Sequence, residues 1–203
     1  MTASLIAVAV IAYFLGGLPF GYWFVRLALG KDIRTMGSGN IGATNVHRTA
    51  GSKAGVVVLL LDIAKGMLAV WIGAKLTGNL PLGLAVAAVA VMVGHCYPIL
   101  LKFKGGKAVA CFVGAFLYIA PFAVLAAVPV FVLTVWWSRH VSLGSIVGAI
   151  LFPILVFLLQ HPPTPILIAS AIAAVLIVYR HKANITRLRQ GTEGVFSFKG
   201  SAR

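Results

Sequence analysis

Acidic residues are almost absent from this sequence, which has 3 Asp and Glu against 17 Lys and Arg. Acid–base catalysis by paired carboxylates needs two such groups close together, and Asp32, Asp62 and Glu193 lie far apart along the chain. Cys96 and Cys111 lie in apolar stretches without metal-ligand spacing, so neither a disulfide nor a zinc site is predicted. The sequence also lacks a GxSxG motif and an acyltransferase-type HxxxxD motif, and no metal or cofactor is expected.

Charged residues of both signs are scarce, at 10% of the chain, whereas 61% of the residues are hydrophobic. A soluble domain carries about a quarter charged residues. Because a hydrocarbon core of about 30 Å needs about 20 apolar residues per helix, the long uncharged runs predict several membrane-spanning helices. The first 25 residues lack a basic start and a clear cleavage site. We therefore expect them to form a retained first helix.

The apolar runs predict seven transmembrane helices in an all-α integral membrane protein. Only residues 108–138 are ambiguous, because a single helix of that length would extend about 46 Å at 1.5 Å per residue. Pro121 and Pro129 favour a break there. The predicted spans are 4–26, 54–77, 80–101, 108–121, 122–138, 142–160 and 164–180.

Lys and Arg concentrate in three segments, residues 26–53, residues 102–107 and the tail from residue 180 to Arg203. Cytoplasmic loops of membrane proteins collect Lys and Arg. The three segments share one side of the membrane only if residues 108–138 form two helices. This favours seven helices in a single domain over residues 1–203, with the N-terminus outside and the C-terminus inside.

This excess of positive charge needs an anionic partner. Nucleic acid is not expected, because little of the chain lies outside the membrane to form a binding groove. Anionic lipid headgroups account for part of the charge, and a phosphate-bearing substrate accounts for the rest.

The first polar segment, Gly37–Arg48, combines glycines, small hydrogen-bonding side chains and one arginine. Glycines let the backbone turn tightly around an anion, and the arginine fork suits phosphate. An ordinary polar loop between two helices is the alternative. The candidate phosphate ligands are Gly37, Ser38, Gly39, Asn40, Thr44, Asn45 and Arg48.

The second polar segment runs from Gly94 to Lys107 and ends in Lys104-Gly105-Gly106-Lys107. A helix that begins near Lys107 directs its positive end toward the Gly-Gly turn, and the lysine adds a full charge. It is not a Walker A motif, because the earlier glycine and the following Ser or Thr are missing. A basic turn that only follows the positive-inside rule is the alternative.

The third polar segment runs from Arg180 to Glu193. His181 and Asn184 are three residues apart and share one face with Arg187 if the last span continues as a helix. Histidine is suited to proton transfer near neutral pH. The alternative is a juxtamembrane helix that binds anionic lipid.

Asp62 and Lys65 are charged residues within the second predicted span, three positions apart. Charges at membrane depth usually pair or line a functional cavity. Mutual neutralisation is the simpler interpretation, and direct contact with substrate is the alternative. We interpret His95, near the end of the third span, as a packed histidine and not as a base.

The three polar segments, together with Leu61–Gly66, resemble the bacterial acyl-phosphate:glycerol-3-phosphate acyltransferase (PlsY) family in order and spacing over nearly the whole chain. One departure is Ala108, where the family usually has glycine after Gly-Gly-Lys. The resemblance implies seven transmembrane helices in the bacterial inner membrane, with the active site facing the cytoplasm. It also implies that an acyl chain lies between helices, within reach of membrane lipid.

The resemblance further implies transfer of a fatty acyl group from acyl phosphate to the 1-hydroxyl of sn-glycerol 3-phosphate, giving lysophosphatidic acid and inorganic phosphate. Arg48 and Lys107 would hold phosphate, and Ser38 and Asn184 would orient phosphate or hydroxyl groups. Gly105 and Gly106 would let the backbone approach glycerol phosphate. The hydroxyl proton would pass either to His181 or to a phosphate of the bound substrate. The candidate catalytic residues are therefore Ser38, Arg48, Lys107, His181 and Asn184.

Two other classes share the basic face. A membrane transporter of a phosphate-bearing anion would need polar residues in both halves of the membrane, whereas the basic residues here crowd one side. A lipid-binding scaffold would tolerate loss of Ser38 or His181. The asymmetry of charge favours an enzyme at the membrane interface.

Overall fold

The computed structural model describes residues 1–196, which are mainly helical. Lys199 and Arg203 of the predicted basic tail lie outside the described residues. Short 3-10 turns occur at Ile33–Thr35 and Ile99–Leu101. The α-helices of this range are α1 (Thr2–Gly16), α2 (Phe20–Leu29), α3 (Ala43–Ala50), α4 (Ser52–Thr77), α5 (Pro81–Cys96), α6 (Val109–Ile119), α7 (Pro121–Ser138), α8 (Val141–Gln160), α9 (Thr164–Arg180) and α10 (Lys182–Arg189).

The membrane-spanning candidates differ in number from the predicted seven. In the described part of the chain, five continuous segments qualify, and helices α9 and α10 together form a sixth candidate that is bent by 55°. Helix α6 has 11 residues. At 1.5 Å per residue that is about 16 Å, roughly half of the hydrocarbon core. Within residues 1–196, the 5 segments long and apolar enough to span a bilayer are Thr2–Leu29, Ser52–Thr77, Pro81–Leu101, Pro121–Ser138 and Val141–Gln160.

The predicted division of residues 108–138 into two helices is confirmed. Helix α6 ends at Ile119, and α7 begins at Pro121. Proline suits the first position of a helix, because its missing N–H would be unpaired there and its φ is already helical. Pro129, in contrast, lies inside α7 without ending it. The first predicted span, 4–26, is interrupted between α1 and α2, where Pro19 precedes the second helix.

Glycines allow two pairs of helices to pack with their backbones in contact. A Cβ on Gly16 would overlap Val91 of α5, and a Cβ on Gly94 would overlap Tyr13 of α1. Gly66 and Gly114 make the same reciprocal contact between α4 and α6. Lipid tails provide little hydrophobic drive for helix association, so such small residues favour packing by close van der Waals contact.

The outward face of the helices is apolar, as a lipid environment requires. On α7, Trp136 and Trp137 are 78% and 81% exposed. They lie at the end of the helix next to Arg139, where Trp is typical of a membrane interface. The core instead contains Phe112, Phe116 and Phe152, whose ring centroids are 4.6 to 5.1 Å apart.

Candidate active site

Asn45 organises the first polar loop from its centre. It lies on α3 and is 1% exposed. Its Nδ2 donates to the carbonyls of Met36 (3.0 Å) and Asn40 (2.8 Å), and its Oδ1 accepts from the N–H of Ser38 (2.9 Å). A buried amide that satisfies both its donor and its acceptor fixes the loop in one conformation.

Gly37 is required by this arrangement. Its φ is +54°, in the left-handed region, and a Cβ there would overlap Asn45 Oδ1. The loop leaves Ser38 exposed, next to the buried amide. Among the other predicted ligands in this segment, Asn40 Oδ1 accepts from Gly42 N–H at 2.9 Å, which tightens the turn into α3. Two further candidates, Gly39 and Thr44, are half-buried.

Arg48 lies one helical turn after Asn45, on the same face of α3. The sequence pattern predicts only a loop for the segment that contains α3. Arg48 is half-buried, and its Nη2 donates to the Gly194 carbonyl at 3.2 Å. The first polar segment therefore reaches the end of the third one, 146 positions later in the chain.

The second segment forms a tight turn before α6. Gly106 is buried, and a Cβ there would overlap Nε2 of His95. Lys107 follows and is half-buried, whereas Lys104 is exposed. Ala108 adopts a left-handed φ of +61°, a conformation that disfavours any residue with a Cβ. This explains physically why glycine suits that position.

Lys107 lies among charges from all three polar segments. Burial lowers the pKa of Lys107 to about 8. Glu193 acts in the opposite direction, whereas the guanidinium groups of Arg187, Arg48 and Arg180 lower the pKa further. A lysine whose charge is easily lost, held beside several arginines, is typical of an anion-binding site.

His181 follows the end of α9 and is 2% exposed. Its Nδ1 lies 2.7 Å from the Ile177 carbonyl, to which it donates, so Nε2 is left as a hydrogen-bond acceptor. Burial first, and then the charge of Lys107, lower the pKa of His181 to about 4. The ring is therefore neutral at physiological pH.

Glu193 ties the third segment together. Its Oε1 accepts from Asn184 Nδ2 at 2.6 Å and from Ser142 Oγ of α8 at 2.8 Å, and its Oε2 accepts from Arg187 Nε at 2.7 Å. Burial opposes ionisation, but these hydrogen bonds outweigh it and lower the pKa of Glu193. The carboxylate thereby orients Asn184, which is one of the predicted catalytic residues.

The three polar segments therefore meet in one place, as the charge pattern predicted. We call this group the polar cluster; it consists of Arg48, Lys107, Arg180, His181, Asn184, Arg187 and Glu193. Sequence reasoning named four of these as candidate catalytic or binding groups. It assigned no role to Arg180, because the partners of Arg180 are backbone carbonyls. It expected Glu193 to be structural and to pair with a neighbouring Arg, and the 2.7 Å contact with Arg187 confirms that pairing.

A second polar group is buried in the membrane region. Lys65 Nζ lies 2.8 Å from Asp62 Oδ1 and donates to the Leu18 carbonyl at 2.8 Å. His95 Nδ1 lies 3.7 Å from the same carboxylate oxygen. Cys111 Sγ is also near, so Asp62, His95 and Cys111 resemble a metal ligand set. The Lys65 ammonium already neutralises the carboxylate, which favours an ion pair over a cation site there.

Comparison with known proteins identifies relatives that act on a phosphate-bearing substrate, in agreement with the cationic site described above. A family model described as glycerol-3-phosphate acyltransferase matches residues 6–191. A glycerol-3-phosphate acyltransferase of Syntrophotalea carbinolica is 49% identical over 187 residues, covering 91% of this chain and 94% of the relative. The enzyme of that name from Geotalea daltonii is 45% identical over 197 residues, covering 97% and 99%.

The fold is similar to that of PlsY, an integral membrane glycerol 3-phosphate acyltransferase. The crystal structure of its glycerol 3-phosphate form matches with a TM-score of 0.90 and 38% identity over 96% of both chains. The lysophosphatidic acid form matches with a TM-score of 0.87 and 36% identity. The resemblance inferred from the polar segments is thus confirmed in sequence and in fold, and the chain belongs to the glycerol-3-phosphate acyltransferase family.

Proposed function

We propose that this membrane protein transfers a fatty acyl group from acyl phosphate to the 1-hydroxyl of sn-glycerol 3-phosphate. The products are lysophosphatidic acid and inorganic phosphate, the first step of phospholipid synthesis. The observation that carries the proposal is the polar cluster, where Arg48 and Lys107 meet the third segment. The solved PlsY forms with glycerol 3-phosphate and lysophosphatidic acid support the substrate and the product.

Arg48 and Lys107 are the groups best placed to bind phosphate. They come from different parts of the chain and carry no carboxylate partner of their own in residues 1–196. A phosphate monoester carries about −1.5 to −2 charges near pH 7, so two cations match one headgroup. Ser38 is exposed beside α3, the helix that carries Arg48, and adds a hydroxyl that can donate to a phosphate oxygen.

The transfer needs no covalent enzyme intermediate. The 1-hydroxyl oxygen forms the new ester bond to the acyl carbon, and the bond from that carbon to the phosphate oxygen breaks. Phosphate leaves as hydrogen phosphate, so the hydroxyl proton ends on it. The protein's contribution is to hold the two substrates together and to stabilise negative charge on the acyl oxygen and the leaving group.

In this reaction His181 orients the 1-hydroxyl of glycerol 3-phosphate but does not retain the proton that the hydroxyl loses. Its Nε2 can accept a hydrogen bond, because Nδ1 donates to Ile177. A pKa of about 4 makes the ring a poor store of a proton near pH 7, whereas a phosphate oxygen with a pKa of about 6 is the better acceptor. We therefore assign the final proton transfer to a substrate phosphate.

We also propose seven membrane crossings, with the N-terminus outside and the site in the cytoplasm. Helices α1 and α2 together, α4, α5, α6, α7, α8 and α9 supply the crossings, and the short α6 crosses with the help of the turn before it. The basic segments then share the cytoplasmic side of the bacterial inner membrane. A reporter fusion at Asn79 that is active only in the cytoplasm would contradict this orientation.

A reconstituted assay tests the activity. The protein in lipid vesicles receives palmitoyl phosphate and glycerol 3-phosphate without added metal, and release of inorganic phosphate is measured. We expect release that depends on glycerol 3-phosphate. Turnover with acyl-CoA as the sole donor, or no turnover with any donor, would overturn the proposal. His181→Ala serves as the matched variant, and we expect it to fold and to turn over slowly.

A further inference from the structure

Arg180 is a cation of the polar cluster that the proposed reaction does not use. It is the last residue of α9, and its guanidinium donates from Nε to the Gly106 carbonyl and from Nη2 to the Gly105 carbonyl, each at 3.0 Å. The guanidinium carbon also lies 4.9 Å from the centre of the Tyr97 ring. Two parallel hydrogen bonds and a stacked ring fix its orientation.

The opposite edge of the same turn is also bonded. Gly105 N–H donates to the Cys96 carbonyl at 3.2 Å, and Gly106 N–H donates to the His95 carbonyl at 3.0 Å. Both glycines therefore use their donor and their acceptor within the protein. The turn consequently offers a ligand the side chain that follows it, Lys107, and not its own N–H groups.

The positive charge of Arg180 beside the positive charge of Lys107 is electrostatically unfavourable, so we expect Arg180 to have a role other than adding charge. The Arg180 charge is one of those that lower the pKa of Lys107. Two of its donors are committed to carbonyls, in a geometry that a lysine cannot reproduce because it lacks the planar fork. The arrangement favours a task in fixing the backbone of the turn over direct binding of phosphate.

We infer that Arg180 is a positioning residue, which holds the Gly105-Gly106 turn so that Lys107 points at the phosphate of the substrate. This inference rests on the proposed function, since it assigns the task of Arg180 through Lys107. It predicts that the planar fork matters and that positive charge alone does not suffice. It also predicts that Arg180 has no effect once the Lys107 ammonium is removed.

The experiment compares Arg180→Lys and Arg180→Gln with Arg189→Lys, a control at an exposed arginine of α10. We expect both Arg180 variants to raise KM for glycerol 3-phosphate about tenfold or more, while kcat changes less. Thermal midpoints in detergent should stay near that of the unmodified protein. The Arg189 control should match the unmodified protein in both constants.

A double variant tests the route through Lys107. Lys107→Ala combined with Arg180→Lys should be no worse than Lys107→Ala alone, because interacting residues have non-additive effects. Additive losses would overturn the inference, and so would an unchanged KM in Arg180→Lys. If the Arg180 variants do not fold, Tyr97→Leu, which removes the stacked ring, should raise the same KM; an unchanged KM would again overturn it.

The two proposals fail in different ways. If the unmodified protein does not turn over acyl phosphate, the proposed function fails. If it does, and Arg180→Lys retains its KM for glycerol 3-phosphate, the inference about Arg180 fails alone.

Discussion

The first and second polar loops reach the same cluster by opposite means. The loop before α3 is organised from inside, by one amide at Asn45 that bonds backbone groups within 12 positions of itself. The turn before α6 uses its own N–H groups for bonds to the nearby His95 and Cys96 carbonyls, but its two carbonyls are held by Arg180, 74 and 75 positions away. The first loop is therefore held by local bonds alone, whereas the carbonyl side of the second is held only once α9 has packed against it.

Loss of Asn45 should have the largest effect, because the whole first loop depends on it. Asn45→Leu leaves the Asn40 carbonyl and the Ser38 N–H without a partner, and the Met36 carbonyl keeps only the Gly39 N–H. We expect a loss of about 3 kcal/mol in stability. In a thermal melt in detergent this corresponds to a decrease of roughly 6–12 °C.

The control for that prediction is Thr49→Val, one turn later on α3. The Thr49 hydroxyl bonds to carbonyls of its own helix, at 2.8 Å to Asn45 and 3.4 Å to Val46. Its loss should change stability by less than about 0.5 kcal/mol. Equal midpoints for Asn45→Leu and Thr49→Val would contradict the local organisation of the loop.

The second loop should instead be sensitive to added volume. In Gly106→Ala the methyl group would overlap the His95 ring, so the turn and Lys107 must shift. We expect kcat/KM for glycerol 3-phosphate to fall about 100-fold. Gly148→Ala in α8 is the control, because among the described residues no atom beyond the neighbouring backbone of its own helix lies within 4 Å of the added Cβ. Similar kinetics in both variants would show that the turn tolerates displacement.

The second loop should also respond to pH, because the pKa of its Lys107 is lowered by burial. With the pKa of Lys107 at about 8, its cation is lost as pH rises above that value. We expect kcat/KM for glycerol 3-phosphate to fall above about pH 8, by up to about tenfold per pH unit. Lys107→Arg should move this decline to higher pH. An identical decline in that variant would assign the titration to another group.

Ala108→Gly should have the smallest effect, and a favourable one. The left-handed φ of Ala108 disfavours its Cβ, so glycine should raise stability by up to about 1 kcal/mol. The control is Ala110→Gly, inside α6, which should lose about 1 kcal/mol because glycine weakens a helix. If both variants lose stability in a thermal melt, the strain at position 108 is negligible.

Much of the fold was predictable because charge and length act together in a membrane. The prediction that the positive segments share one side required a break in residues 108–138, and Pro121 is where that break occurs. The break between α1 and α2 and the short α3 were not predicted. The break covers only a few residues within one long apolar run, so it leaves the run looking like a single span. Helix α3 is too short to span a membrane and carries mostly polar residues, so it shows no apolar run at all.

The site was predictable in its chemistry and less so in its connections. Ser38, Arg48, Lys107, His181 and Asn184 were named because the three polar segments resemble the family, and their catalytic roles stay predictions. The contacts of Arg180 were not foreseen, because backbone carbonyls leave no mark in a sequence. Ser142 was missed for a related reason, since a single serine in an apolar helix gives no sign that it binds Glu193.

The Asp62–Lys65 pair also bears on how the protein enters the bilayer. Both residues belong to α4, one turn apart, and their ion pair needs no other helix. A charge that is paired within its own helix enters the bilayer as a neutral pair, which lowers the cost of leaving water. Lys65 then keeps a free N–H for the Leu18 carbonyl, which lies at the break between α1 and α2. The first two membrane segments can thus join during insertion, before the polar cluster is complete.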